Sequence, residues 1–162
     1  MLPSVWDAVD SLLNSSVITL SENTNTGWNL FSFPVDLNNE SAIQFPVGTS
    51  SLMRFDCNTG YIIEDTLTSG KGYWVKFPSE GRITISGTLR TEDTIDVNWD
   101  WNLIGSLTQK IDVDSVLTLP AGIISSPFFG YVLGKGYYVT DTLRPFQAYW
   151  VKVSEAGKIL LQ

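Results

Sequence analysis

Histidine is absent from this chain of 162 residues, and cysteine occurs once, at Cys57. Without histidine neither a Ser-His-Asp nor a Cys-His nucleophile can be assembled, and zinc and most redox metals lose their usual ligands. One cysteine allows no intrachain disulfide and names no compartment. Charge is scarce as well: 17% of residues are Asp, Glu, Lys or Arg, against about a quarter in ordinary soluble domains. Ten basic against seventeen acidic residues leave a net charge of −7. A chain so short of cations does not neutralise phosphates, which argues against nucleic acid and against anionic membrane surfaces. No run approaches the eighteen or so apolar residues of a membrane span. The opening "MLPSVWDAVDSLL" lacks the basic start and continuous apolar stretch of a signal peptide. Its Leu2, Val5, Trp6, Val9 and Leu12 fall at helical spacing, which predicts a short amphipathic helix or ordered linker over 3–13.

What the chain does have is a 43% share of hydrophobic residues, enough for a core, and a solvated face rich in Thr, Ser and Asn. That composition suits strands and turns. It also has one pattern twice. Residues 60–76, "GYIIEDTLTSGKGYWVK", align without gaps on 136–152, "GYYVTDTLRPFQAYWVK", and nine of seventeen positions match, against roughly one expected from ordinary residue frequencies. "WNLFS" from Trp28 likewise matches "WNLIG" from Trp101, "FPVG" matches "LPAG", and "EGRITI" matches "AGKILL". The pattern reads as a duplication with small loop insertions. Residues 1–16 are then an N-terminal helix or linker, 17–90 a first unit and 91–162 a second, the two forming one compact domain. The end in "KILLQ", matching the middle of "RITISG", reads as a second unit cut short.

Strand signals fall at 17–21, 28–35, 51–56, 60–64, 72–77 and 82–86, then at 94–97, 101–107, 114–118, 128–133, 136–140, 147–153 and 158–161. About twelve short runs of Val, Ile, Thr and aromatics, punctuated by glycine turns, predict an all-β fold. A barrel and a sandwich with pseudo-two-fold organisation are both open.

"GWNLFSFPV" and "WNLIGSL", with a later "GKGYWVK", resemble the tandem β-modules of large secreted and cell-surface proteins of Bacteroidetes-type and related bacteria, the second copy departing from the pattern with "PFQAYWVK". The similarity covers about 17–162. It implies an extracellular or cell-surface, non-catalytic accessory module working beside neighbouring domains of a parent protein.

Gly70-Lys71-Gly72 invites comparison with a phosphate loop, but such a loop opens a helix, and here it opens a strand. The second copy replaces it with Phe146-Gln147-Ala148, so a tight turn is expected. Trp28 with Trp101, Trp74 with Trp150, Tyr61 with Tyr137 and Tyr73 with Tyr149 hold matching positions, which predicts shared core packing. Asn29 and Asn102 are expected to brace a turn through side-chain to backbone hydrogen bonds. Aromatics without an aromatic counterpart are the binding candidates: Trp99, Phe128, Phe129, Tyr138 and Phe146. Such rings stack on the apolar faces of sugars, so a polysaccharide or cell-surface glycan is the expected partner. The competing expectation is a structural or adhesion spacer that binds no small ligand. Glu92, Asp93, Asp96, Asp100, Asp112 and Asp114 form an acidic band, yet no calcium-loop signature organises them. Asp65 and Asp141 sit in matching Asp-Thr-Leu turns, and nothing selects a carboxylate dyad. No catalytic residue, metal or other cofactor is expected.

Overall fold

The computed structural model describes residues 17–38 and 41–162, and the helix expected over 3–13 lies outside them. The first half contributes β1 (Val17–Thr24), β2 (Gly27–Ser32), β3 (Val35–Asp36), β4 (Ala42–Gln44), β5 (Leu52–Asp56), β6 (Gly60–Glu64), β7 (Gly72–Phe77) and β8 (Gly81–Leu89). The second contributes β9 (Asp93–Val97), β10 (Asp100–Ile104), β11 (Ile111–Asp112), β12 (Leu117–Leu119), β13 (Phe128–Val132), β14 (Gly136–Thr140), β15 (Thr142–Leu143), β16 (Tyr149–Val153) and β17 (Gly157–Leu161). A 3-10 turn at Val113–Ser115 is the only helical element among the described residues. The all-β class is therefore as expected. The strands the sequence did not announce, β3, β4, β11 and β15, have two or three residues each, too few for alternation to register.

Every strand pair is antiparallel, and no sheet closes on itself. One four-stranded sheet runs β2-β7-β5-β6 and another β10-β16-β13-β14. Their registers correspond: Leu30 and Met53 flank Trp74, as Leu103 and Phe129 flank Trp150. Each is backed by a second sheet, β1-β8-β3 with β4 in the first half and β12-β17-β9 in the second.

Period-two alternation assigns the faces. In β7 it buries Tyr73, Val75 and Phe77, and in β16 Tyr149, Val151 and Val153. Tyr73, Val75 and Phe77 meet Ile83 and Ile85 of the backing strand β8 in one core; Tyr149, Val151 and Val153 meet Ile159 and Leu161 of β17 in another. Each such side chain contributes about 1.5–3 kcal/mol by leaving water. The phenols find partners at the core's edge: the Thr68 N–H donates to the Tyr73 oxygen at 3.0 Å, and the Arg144 N–H to that of Tyr149 at 2.8 Å.

The halves are stitched to each other. The Ser32 N–H donates to the Phe146 carbonyl at 3.0 Å and the Gly105 N–H to the Gly70 carbonyl at 2.9 Å. Between these bonds the buried Ser32 and Ser106 hydroxyls meet at 2.9 Å. Arg90, 3% exposed, binds the Ser106 carbonyl at 3.0 Å and pairs with Asp36 and Asp93. A buried guanidinium held by two carboxylates and a carbonyl fixes the angle between halves, because removing one partner leaves charge uncompensated.

Candidate functional site: an aromatic groove between two sheets

The alternation that buries Tyr73 and Tyr149 turns Trp74, Lys76, Trp150 and Lys152 to the opposite faces of their sheets. Cross-strand pairing brings Trp28, Met53, Phe55 and Tyr61 to the same face as Trp74. On the other sheet it brings Trp101, Phe129, Tyr131 and Tyr137 to the same face as Trp150. The two aromatic faces meet. Phe55 stands edge-on to Trp150 with centroids 4.9 Å apart, and Tyr131 stands edge-on to Trp74 at 4.9 Å, within the range of favourable aromatic pairs.

Where the faces diverge they leave a groove. One cavity of about 410 Å³ is lined by Phe55, Trp101, Phe129, Tyr137 and Trp150. A second, of about 340 Å³, is lined by Trp28, Met53, Tyr61, Trp74, Tyr131 and Tyr137. Tyr137 borders both, so they are neighbours. Each is a platform from one sheet with a wall from the other: Trp101, Phe129 and Trp150 walled by Phe55, and Trp28, Met53 and Trp74 walled by Tyr131. Past Trp101 and Phe55 the groove opens into a third space of about 360 Å³ that reaches Trp99, Asn58 and Asn98.

No charged side chain lines the first two cavities. The Lys76 ammonium lies 6.0 Å from the Trp28 ring centre and that of Lys152 5.9 Å from Trp101, placing a cation over one ring of each platform. Lys152 also pairs with Asp100 at 3.1 Å. Burial raises the Tyr137 phenol above its ordinary value, with Tyr61 adding to the effect and the Trp150 indole opposing it, so at neutral pH it is a neutral hydroxyl. Acids bordering the groove already have partners. Asp56 pairs with Arg54, and its carboxyl is held below the usual range by bonds from Asn58 and Thr59. Asp96 pairs with Lys158. Such a surface offers stacking faces and a few neutral hydroxyls.

No protein-family model, curated protein or solved structure matches the chain.

The structure divides the five aromatics singled out in the sequence: two lie along the groove, Tyr138 and Phe146 border a separate cavity of about 860 Å³, and Phe128 borders neither. Phe129 lines the cavity of about 410 Å³, and Trp99, 65% exposed, stands at the groove's end. Tyr138 lies elsewhere: its ring covers Gly130, where a Cβ would come within 2.5 Å of it. Phe128 and Phe146 are buried, at 5% and 4% exposure. Phe128 belongs to the second half's core, whereas Phe146 reaches into the first half's core, 6.2 Å from Phe31. Lacking a counterpart in the sequence did not mean lacking a packing duty.

The matched aromatics also divide. Tyr73 and Tyr149 are core as expected, but Trp28, Trp74, Trp101, Trp150, Tyr61 and Tyr137 line the groove. Physical chemistry explains the correction. In Trp-Val-Lys the tryptophan and lysine are two residues apart and share a face, and a face carrying a lysine is not the core side. That signal was available at Trp74 and Trp150. Asn29 and Asn102 act as anticipated: Asn29 donates to the Asn25 and Gly27 carbonyls and Asn102 to those of Asn98 and Asp100. Gly70-Lys71-Gly72 is a turn entering β7. In the acidic band, Asp93, Asp96 and Asp100 are paired with cations, and Asp112 accepts the Asp114 N–H of the 3-10 turn.

Proposed function

We propose that this chain is a non-catalytic β-module that binds a neutral glycan in the aromatic groove. One observation carries the proposal: two neighbouring cavities whose linings are aromatic rings and one methionine, with no charged side chain among them. A pyranose with equatorial hydroxyls presents apolar C–H faces to such walls and directs its hydroxyls to the open rim. A few placed polar groups over an apolar lining are the usual make-up of a small-molecule site. The pairing of Asp56, Asp96 and Asp100 with cations supports a binding role over an acid-base one.

The site's origin belongs to the same proposal: two copies of one unit of about 75 residues, related by a pseudo-two-fold. Support comes from side chains as well as strand order. Asn29 and Asn102 make equivalent bonds, Lys76 and Lys152 cover equivalent tryptophans, and the Lys76 and Lys152 N–H groups donate to Ser50 and Ser126, each at 2.8 Å. An extracellular or cell-surface setting is proposed from the resemblance of the Trp-Asn-Leu and Tyr-Trp-Val-Lys motifs.

Affinity-gel electrophoresis against a panel of neutral and acidic polysaccharides tests the binding role. Retardation by one or more neutral polymers is expected, lost in Trp101→Ala and kept in Tyr138→Ala, whose ring lies outside the groove. A spacer that packs against neighbouring domains is the second reading, favoured by Ile63 and Val139 on the outer strands β6 and β14, each 63% exposed. Migration unchanged by every polymer, with tight capture of a neighbouring domain of the parent protein, would establish it instead.

A further inference from the structure

The two cavities are equivalent in construction but not in their surroundings. Trp101, Phe129, Trp150 and the wall Phe55 of one correspond to Trp28, Met53, Trp74 and the wall Tyr131 of the other at offsets of 73 to 76 residues. Tyr137 borders both. A ligand long enough to leave one platform past Tyr137 reaches the second. Beyond the Trp101 platform the groove continues to Trp99 with the amides of Asn58 and Asn98. The matching position in the first half is Thr26, so the ring of this extension has no counterpart there.

Resting on the glycan reading above, we propose that the groove takes a single extended chain of neutral, equatorially substituted pyranoses. The chain occupies both platforms at once, and its direction is set by the Trp99 end. Charge selects the class. The cavity linings hold no ionised group. The cations beside them are Lys76 over Trp28 and Lys152, already paired with Asp100, over Trp101, and the field of seventeen acidic against ten basic residues opposes a polyanion. A peptide is the poorer fit, since each residue brings an amide whose N–H and C=O need partners that ring faces do not supply. In an equatorial pyranose the polar groups lie around the ring's rim, leaving both faces free to stack. Two stacking sites on one polymer act as linked sites, so the second contact forms at high effective concentration.

Isothermal titration with cello-oligosaccharides and chito-oligosaccharides, from the disaccharide upward, tests this. Short oligomers are expected to bind two per protein and weakly. At the length that first spans both platforms the stoichiometry falls to one and affinity rises about a hundredfold. Trp28→Ala and Trp101→Ala each return the long oligomer to the affinity of the short one, and each leaves one site for the short oligomer. Trp28→Tyr and Trp101→Tyr, which keep a stacking face, retain most of the gain. Trp99→Ala weakens long oligomers severalfold and leaves the disaccharide unaffected. Long oligomers binding two per protein with no gain, or one platform silent to sugar, would overturn the spanning chain and leave the glycan reading intact. A folded protein that binds no oligosaccharide, or binds a proline-rich peptide in their place, would overturn both.

Discussion

At two positions the halves hold the same backbone shape with different residues. Gly27 and Gly70 have φ of 94° and 85°; the corresponding Asp100 and Phe146 have 79° and 67°. The left-handed region costs a residue with a Cβ about 1–2 kcal/mol. In the first half glycine removes that cost, while in the second the surroundings hold a strained residue in place. Phe146 shows how: its carbonyl accepts the Ser32 N–H, and its ring fills a seat among Phe31 and the first half's core. Gly70 has no room for any such ring, since a Cβ there would lie 2.5 Å from the Asp93 carboxylate and 2.9 Å from the Arg90 guanidinium. One backbone site serves in one half as a passage for an ion pair and in the other as an anchor into its neighbour.

The largest expected effect breaks that difference at its anchored end. Phe146→Ala should destabilise the protein by about 3–5 kcal/mol in urea titration, the range for emptying a buried phenylalanine site. Phe146→Gly should be milder than Phe146→Ala by about 1 kcal/mol, because glycine releases the left-handed strain. The reverse order, which is normal in a strand, would show that the strain is not there.

Next in size is a comparison of the buried phenols. Burial raises both Tyr73 and Tyr149, the latter to about 12 from an ordinary 10.0. A folded-state pKa above the unfolded one gives stability that is complete below about pH 10 and is lost as pH rises through about 12. For Tyr149 the loss comes to roughly 2–3 kcal/mol, read as a falling urea midpoint alongside the phenolate absorbance. In Tyr149→Phe the Tyr149 part of that alkaline slope should vanish, leaving the contributions of Tyr73 and Tyr137.

Asp100→Gly should give the smallest change. It relieves about 1 kcal/mol of backbone strain and loses a partly exposed pair with Lys152 worth about 0–1 kcal/mol. A variant equal to or slightly more stable than the parent is expected by thermal melting.

These contrasts mark how far the sequence could be read. Strands β5, β6, β7, β14 and β16 were legible because alternation and glycine turns are local signals, and so was the bracing by Asn29 and Asn102. The groove was not, since β7 and β16 carry large rings on both faces and hydrophobicity alone does not say which meets a backing sheet. The lysines beside Trp74 and Trp150 settle that question. Phe146 was legible only as an oddity. Its seat lies in the other half, and no pattern within a window of the chain points that far.

The bonds at that seat have a bearing on synthesis. The Ser32 hydroxyl reaches the Gln147 carbonyl at 2.6 Å across 115 positions of sequence. The first half therefore leaves the ribosome with an unfilled hole where the Phe146 ring belongs. Until translation has passed residue 147, its exposed lining is surface for a chaperone or for misassembly with another nascent chain. Arrival of this segment, just ahead of β16, completes the first half's core.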